Sequence, residues 1–222
     1  MKKSDLNKIS NLIIFNKKAI AELDTKITKN SLDYNVKRWI ADGTIIPLKR
    51  GLYMTKTNYE KYKNDNKFTI YLANSILFPS YVTADTILRE YDILSEGTFG
   101  ITSFTLKGTK LYSNKVNTFR YSKVKPLLYS GYVTDYFLDK KIYYASKAKA
   151  LIDFLYVKSN LIPDSIKNIN LVEDLRLNLD VFEEKDFVEL KNYRNLIPRT
   201  KMYKILNNVI NYAPNIKFIK PN

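Results

Sequence analysis

The chain contains no cysteine and no histidine among its 222 residues. The lack of cysteine excludes disulfides, a thiolate nucleophile and any zinc site built on cysteine. The lack of histidine removes the commonest general base of enzymes and the commonest metal ligand. An enzyme made from this sequence would depend on carboxylates, Lys, Tyr, Ser or Thr. We therefore expect a protein that is not an enzyme and that needs neither a metal nor a cofactor.

Long apolar runs are missing as well. The run at residues 12–15 is four residues long, whereas a membrane-spanning helix needs about 18 apolar residues. No small-residue cleavage site follows the basic start of the chain. With 45% hydrophobic and 27% charged residues, the composition is that of an ordinary globular protein. We expect a cytoplasmic protein with no membrane partner.

Positive charge is in excess and unevenly distributed. Lys and Arg outnumber Asp and Glu by 37 to 22, which gives a net charge of +15. Residues 1–64 hold 14 of the basic and 6 of the acidic residues, so +8 of the surplus lies in less than a third of the chain. A general preference for lysine is an alternative explanation of the surplus, but it explains this asymmetry less well. The N-terminal part is therefore predicted to face a polyanion: nucleic acid, an anionic membrane surface or an acidic protein.

Three helices are predicted at the N-terminus. Apolar residues recur at helical spacing in residues 5–15, and Asn16 is placed to cap a second helix. A third helix, capped by Asn30 or Ser31, ends before Gly43, because glycine often closes a helix at positive φ. Its apolar residues share one face and leave polar and basic side chains on the other; they are Leu32, Val36, Trp39 and Ile40.

A short hairpin is predicted directly after the third helix. Residues 45–46 and 52–53 are typical of two strands, and Gly51 can take the conformation that the loop between them needs. Lys49 and Arg50 put two cations in this loop. Three helices followed by a basic hairpin form the winged-helix arrangement, a variant of the helix-turn-helix in which the hairpin is the wing.

The outer face of the third helix and the wing supply the predicted contacts with duplex DNA. Side chains near the start of a recognition helix meet base edges in the major groove, and cations contact phosphates. The candidates for base edges or nearby phosphates are Ser31, Tyr34, Asn35 and Arg38, and those for phosphates are Lys37, Lys49 and Arg50. Three alternatives stay open: Tyr34 and Asn35 are ordinary solvated residues, the hairpin is a plain turn, or the winged helix docks a protein.

Residues 65–222 are predicted to form a mixed α/β domain with a helical tail, after the winged helix of residues 1–64. Alternation of apolar residues predicts strands, and apolar residues at helical spacing predict helices. The predicted helices are 68–77, 83–91, 145–161, 171–179, 184–193 and 200–212; the predicted strands are 99–106, 110–112, 118–121, 129–137 and 140–144, and 79–83 is a predicted turn. The fold class is therefore α+β.

Two further hypotheses concern this second domain. Four carboxylates are candidates for a magnesium site in an enzyme acting on nucleic acid, although they match no metal motif; they are Glu96, Asp135, Asp139 and Asp153. A stretch of basic and aromatic residues is a candidate for nucleic-acid contact through phosphate pairing and base stacking; it comprises Lys107, Lys110, Tyr112, Lys115, Arg120, Tyr121, Lys123 and Lys125. In alternating strands, Tyr112 and Tyr121 are equally well placed to face the core.

The order of several segments resembles one known family. The segments are WIADGTIIPLKRGLYMT, FTIYLANSILFPSYVTADTILREYDILSEGTFGITSFTLKGTKLY, FRYSKVKPLLYSGY and YYASKAKALIDFLY. Together they resemble the AbiEi-type antitoxins of bacterial type IV toxin–antitoxin systems, over residues 5–212. The middle block and the last segment carry most of this resemblance, because many regulators share a winged helix.

The resemblance implies two activities. The winged helix would bind inverted repeats in the promoter, in cooperative pairs, and repress its own operon, with DNA contacts at the seven candidates named above. The C-terminal domain would counter a toxin that resembles a nucleotidyltransferase, without a stable complex, in abortive infection against phage. We therefore expect a repressor and antitoxin, monomeric in solution or paired on DNA. The alternatives are a non-enzymatic module that docks an acidic partner protein and a metal-dependent enzyme.

Overall fold

The computed structural model describes residues 3–95, 100–166 and 169–212. Residues 3–64, called the N-terminal segment below, begin with a 3-10 helix, Lys3–Ile9. The helices that follow are α1 (Lys17–Ala21), α2 (Lys29–Ala41) and α3 (Lys56–Tyr62). The strands are β1 (Phe15–Asn16), β2 (Ile45–Lys49) and β3 (Leu52–Thr55), paired antiparallel in the order β1–β3–β2.

Capping residues set the ends of α1 and α2. The Asn16 side chain accepts a hydrogen bond from the Ala19 N–H at 3.0 Å, as predicted. The cap of α2 is Thr28, whose hydroxyl accepts from the Ser31 N–H at 3.2 Å, so this helix begins earlier than predicted. After α2, Gly43 has a φ of +73°, which confirms the predicted glycine at the helix end.

The predicted first helix, residues 5–15, is wrong in its second half. Leu6 and Ile9 are buried in the 3-10 helix, but Phe15 lies in β1 opposite Tyr53. A strand forms there because pairing with β3 buries Phe15 beside Tyr53, with ring centroids 6.2 Å apart. The predicted hairpin is confirmed, since β2 and β3 pair antiparallel.

The rest of the described chain is built on a six-stranded mixed sheet, which confirms the predicted α+β class. Its helices are α4 (Asn66–Ile76), α5 (Asp85–Glu90), α6 (Lys147–Lys158), α7 (Leu171–Asp174), α8 (Glu184–Leu196) and α9 (Lys201–Tyr212), with a 3-10 helix at Pro126–Leu128. Its strands are β4 (Ser80–Val82), β5 (Ile101–Thr105), β6 (Lys110–Ser113), β7 (Thr118–Lys123), β8 (Tyr132–Phe137) and β9 (Lys140–Ala145). They are ordered β6–β7–β5–β4–β9–β8; the β5–β7 and β4–β9 pairs are parallel and the others antiparallel.

Helices cover both faces of this sheet. Ser103 and Phe104 are consecutive in β5, so their side chains point to opposite faces. On one face, Tyr121 pairs with Ser103 and donates its hydroxyl to the Ala73 carbonyl of α4 at 2.7 Å. On the other, Phe104 contacts Tyr156 of α6, with ring centroids 6.2 Å apart, and α8 and α9 pack against α6. Burial on both sides explains why β5 is buried along its whole length.

A buried asparagine ties α4 to the middle of the sheet. Asn74 Nδ2 donates to the carbonyls of Ser80 in β4, at 3.1 Å, and of Tyr143 in β9, at 3.2 Å. Its Oδ1 accepts from the Tyr143 N–H at 2.7 Å. Val82 of β4 pairs with Tyr144 of β9, and Asn74 extends this connection between the two strands.

Two other predicted elements differ from the structure. Residues 79–83, predicted as a turn, contain β4, because a three-residue strand buried throughout shows no alternation that would reveal it. The predicted helix 171–179 is limited to α7; Arg176 has a φ of +50°, which a right-handed helix does not accommodate. The other predicted helices and strands of residues 65–212 lie within a few residues of the observed ones.

The N-terminal segment has a small core of its own and also shares the larger one. Ile20 and Trp39 pack in the small core. Ile46, Leu48 and Met54 of the β2–β3 hairpin pack instead into the core around the six-stranded sheet. Part of this hairpin is therefore buried against the rest of the chain. Within the described ranges, no helix has the length and hydropathy to cross a bilayer.

Candidate nucleic-acid interface

The outer face of α2 is an exposed stripe of polar and basic residues. Tyr34 is 66% exposed, and Lys37 and Arg38 are exposed along the same side of the helix. Trp39, on the opposite face, is fully buried. The predicted division of α2 into an apolar and a polar face is therefore confirmed, and Tyr34 and these cations are accessible to a partner.

Ser31 lies at the N-terminal end of this face. The Thr28 hydroxyl accepts from the Ser31 N–H and donates to Ser31 Oγ at 3.0 Å. Ser31 is exposed. Unsatisfied N–H groups at a helix N-terminus favour an anion such as phosphate, so Ser31 is well placed beside one.

Asn35 has a different role from the predicted base contact. It is only 7% exposed. Its Nδ2 donates to the Ser31 carbonyl at 2.8 Å, and its Oδ1 accepts from Arg38 Nη2 at 3.0 Å. The Arg38 guanidinium in turn lies over the Tyr34 ring, 5.9 Å from its centroid. Asn35 thus holds Arg38 in place from beneath the exposed face. These contacts could have been predicted from the sequence, because Ser31, Asn35 and Arg38 are spaced so that they are neighbours along one helix.

The one carboxylate on this face is neutralised within the described chain. Asp33 forms an ion pair with Lys17 Nζ at 2.5 Å. The Lys17 hydrogen bond lowers the pKa of Asp33 against the effect of desolvation, and the charges of Lys29 and Lys37 lower it further. Asp33 is therefore ionised and paired, and the cations around it outnumber it. Sequence reasoning missed Lys17, because it lies on α1 and no spacing along α2 reveals it.

The two cations of the hairpin point to different surroundings. Lys49 is half-buried and donates from Nζ to the Ile76 carbonyl at the end of α4. Burial, with the positive charge of Lys107, holds the pKa of Lys49 below its usual value. Arg50 is exposed, next to Gly51, whose φ of +81° turns the chain. The predicted phosphate contact at Lys49 is thus less accessible than the one at Arg50.

Arg50 lies near the α2 face. Asn16 pairs with Leu52 of β3, so Lys17 follows beside the turn formed by Arg50 and Gly51. The Asp33 hydrogen bond raises the pKa of Lys17, and the charge of Arg50 acts weakly in the opposite direction. Lys17 in turn contacts Asp33 on α2. Arg50 therefore lies near Lys17 and its contact with Asp33 on α2, whereas Asn35 is buried within α2 and Lys49 is bonded to the end of α4.

The three described members of the predicted carboxylate set, Asp135, Asp139 and Asp153, do not come together as a metal site. Asp135 forms an ion pair with Lys67 at 2.7 Å, and Asp139 forms one with Lys140 at 2.7 Å. Glu96 lies outside the described residues. Across the ranges that the structure describes, no group of three or more acidic residues is placed to hold a metal ion.

Asp153, the fourth of these carboxylates, is part of a buried polar cluster. It forms an ion pair with Lys149 and accepts hydrogen bonds from the hydroxyls of Tyr81, at 2.9 Å, and Thr83, at 2.7 Å. Burial raises the pKa of Asp153, and Lys149 opposes this effect. The cluster joins α6 to β4 inside the core, which is a structural role.

The basic and aromatic stretch separates into two parts in the fold. Its aromatic residues face inward: Tyr121 is buried, and Tyr112 is half-buried against it, with ring centroids 5.9 Å apart. Its cations are all exposed; they are Lys107, Lys110, Lys115, Arg120, Lys123 and Lys125. The aromatic rings are therefore structural, and this stretch offers charge rather than a stacking platform.

Comparison with known proteins adds no assignment. No protein family model matches the chain, and no curated protein matches it.

Proposed function

We propose that the chain is a DNA-binding transcriptional repressor whose N-terminal segment is a winged helix. In this proposal α2 lies in the major groove of duplex DNA and the β2–β3 hairpin is the wing. One observation carries it. Tyr34, Lys37 and Arg38 form an exposed face on α2, and Lys17 neutralises the one carboxylate on it. Arg50 is exposed in the hairpin turn next to Lys17.

The exposed residues divide into two roles. Ser31 and Tyr34, in the first half of α2, are assigned to base edges, since the N-terminal part of a recognition helix enters deepest into the groove. Lys37, Arg38 and Arg50 are assigned to phosphates, which position the protein without specifying sequence. Asn35 and Lys49 support Arg38 and the hairpin from the inner side.

Selection of bound duplexes from a random pool, with the full chain, tests this proposal. The full chain is required because Ile46, Leu48 and Met54 pack into the larger core. We expect enrichment of one sequence, with an affinity that falls steeply as salt rises, by about 0.9 in log K per log unit of salt for each neutralised phosphate.

Replacement of Tyr34 provides the specific prediction. Tyr34→Ala is expected to change the selected sequence at one or two positions, because a residue that contacts base edges determines preference there. The matched control is Tyr136→Ala, which removes a tyrosine of similar exposure from β8, outside the N-terminal segment. Lack of any duplex binding by the unaltered chain contradicts the proposal, and an unchanged preference in Tyr34→Ala contradicts the role of Tyr34.

The sequence resemblance supports a second part of the proposal. The chain represses its own operon from inverted repeats in the promoter and, as a cytoplasmic antitoxin, counters a nucleotidyltransferase-like toxin. A toxin of this kind, encoded beside the chain, is expected to arrest growth when it is expressed alone. Expression of the chain together with the toxin is expected to restore growth. Continued growth arrest despite normal amounts of the chain contradicts the antitoxin role and leaves the repressor role to be judged by DNA binding alone.

A further inference from the structure

One edge of the six-stranded sheet carries a dense positive charge. Residues 97–134 include six Lys and Arg but no Asp or Glu, although the whole chain contains 22 acidic residues. The six cations are those of the basic and aromatic stretch, and all are exposed. Such an accumulation without a neighbouring acid in the sequence favours a polyanionic partner.

These cations surround the β6–β7 hairpin. β6 is the edge strand, paired on one side with β7. Lys107 precedes β6, Lys110 is its first residue and Lys115 lies in the turn to β7. Lys123 is the last residue of β7, and its N–H is bonded to the Thr109 hydroxyl at 3.2 Å, so the two ends of the hairpin are held together. The charge is therefore concentrated on one compact edge.

This edge adjoins the hairpin of the N-terminal segment. Asn114, in the β6–β7 turn, donates from Nδ2 to the Leu48 carbonyl of β2 at 2.9 Å. Arg50 follows two residues after Leu48, and Lys115 follows directly after Asn114. Lys107 is also close enough to Lys49 for its charge to lower the pKa of Lys49, after the larger effect of burial. The cations of the two hairpins thus belong to one neighbourhood.

The geometry favours the phosphates of a duplex over single-stranded nucleic acid. Proteins that bind single strands stack the bases on exposed aromatic rings. Here Tyr121 is buried with its hydroxyl bonded to the Ala73 carbonyl, and Tyr112 packs edge-on against it. What this edge offers is an array of cations on a hydrogen-bonded strand pair, which matches phosphate contact without base recognition.

We propose that the β6–β7 edge is a second DNA-contacting surface, which binds phosphates next to the site contacted by α2 and Arg50. The inference rests on the proposed function, and it adds a surface from the C-terminal part of the chain. In this proposal the surface increases the affinity for DNA and lengthens the bound site, whereas α2 determines the sequence preference.

The test compares two triple variants of the full chain on the selected duplex. Lys107→Gln/Lys110→Gln/Lys123→Gln removes three charges from the proposed surface. The control Lys141→Gln/Lys191→Gln/Lys204→Gln removes three exposed charges from β9, α8 and α9. β9 lies near the opposite edge of the sheet, and α8 and α9 pack against α6. Each variant is compared with the unaltered chain by DNA affinity over a series of salt concentrations and by the length of duplex protected from nuclease.

We expect the first variant to have a shallower salt dependence, by about 0.9 for each lost phosphate contact, and a shorter protected site with the same preferred sequence. We expect the control to keep the salt dependence and the protected length.

An unchanged salt dependence in the first variant, or an equal loss in the control, overturns the inference. If the first variant keeps its affinity for DNA but loses binding to an acidic protein, the inference is also overturned. Failure of the unaltered chain to bind duplex contradicts the proposed function itself, and this inference with it.

Discussion

At the scale of single residues, neighbours in sequence have unlike roles because the turn sends their side chains to different surroundings. Lys49 is the last residue of β2 and reaches back to α4, whereas Arg50 is exposed in the turn. Both carry a positive charge, but the half-buried amine is already engaged by a carbonyl. The structure therefore separates an anchoring cation from one that remains open to a partner.

A comparison of these two residues gives a sharp prediction. Arg50→Gln is expected to reduce affinity for all duplexes alike and to reduce the magnitude of the salt dependence by about 0.9, the effect of one phosphate contact. Lys49→Gln is expected to leave the salt dependence nearly unchanged. Titration of labelled duplex at several salt concentrations measures both. Equal changes in the two variants would show that Lys49 also contacts phosphate.

The sequence predicts the exposed face of α2 but not its supports. Helical spacing is enough to place Trp39 inside and Tyr34 outside, since both follow from the period of the helix. The pairing of Asp33 with Lys17 and the anchoring of Lys49 join residues that are far apart in the chain. Such contacts arise only when elements pack, so no local pattern contains them.

At the scale of elements, most helices and strands follow from patterns of apolar residues, and the exceptions have a common cause. β1 and β4 are two and three residues long, and each becomes a strand because a partner strand lies beside it. Short buried strands lack the alternation that marks a strand with one solvated face. Tertiary pairing therefore decides these elements.

Asn74 offers a test of how α4 is joined to the sheet. Asn74→Ala removes three hydrogen bonds to β4 and β9, and at about 1 kcal/mol each we expect a loss of about 3 kcal/mol in the free energy of unfolding. Urea unfolding measures the effect. The control Asn66→Ala removes only a solvent-exposed hydrogen bond to Glu90 from the first turn of the same helix, and it is expected to have an effect within about 0.5 kcal/mol. Similar losses in both variants would argue against the role of Asn74.

At the scale of the whole molecule, buried tyrosines make the free energy of unfolding depend on pH in the alkaline range. Burial raises the pKa of Tyr81, helped by the charge of Asp153, and burial also raises the pKa of Tyr121. Tyr129, which packs against Tyr81, has a pKa raised to about 12, again mainly by burial. In the unfolded chain the same phenols ionise near a pH of about 10.

We therefore expect stability to fall as pH rises above about 10, because the folded state keeps phenol protons that the unfolded state has lost. The contribution of these groups is complete below their unfolded pKa and is lost as the pH rises through their folded pKa. Urea midpoints over this range measure the slope. Tyr121→Phe is expected to make the slope shallower, and Tyr136→Phe, an exposed change in β8, is expected to leave it as it is. A stability that stays constant up to the pH at which all three tyrosines ionise would contradict the prediction.

The division of apolar residues between two cores has a consequence for engineering. Ile46, Leu48 and Met54 are seated in the larger core, and the Leu48 carbonyl and Lys49 amine are bonded across the junction. A chimera that joins the N-terminal segment to a different domain exposes the apolar side of this hairpin and leaves the Leu48 carbonyl and the Lys49 amine without these partners. For such a chimera to stay soluble, the new domain must provide a carbonyl for Lys49, a side-chain amide for the Leu48 carbonyl and an apolar surface that covers the hairpin.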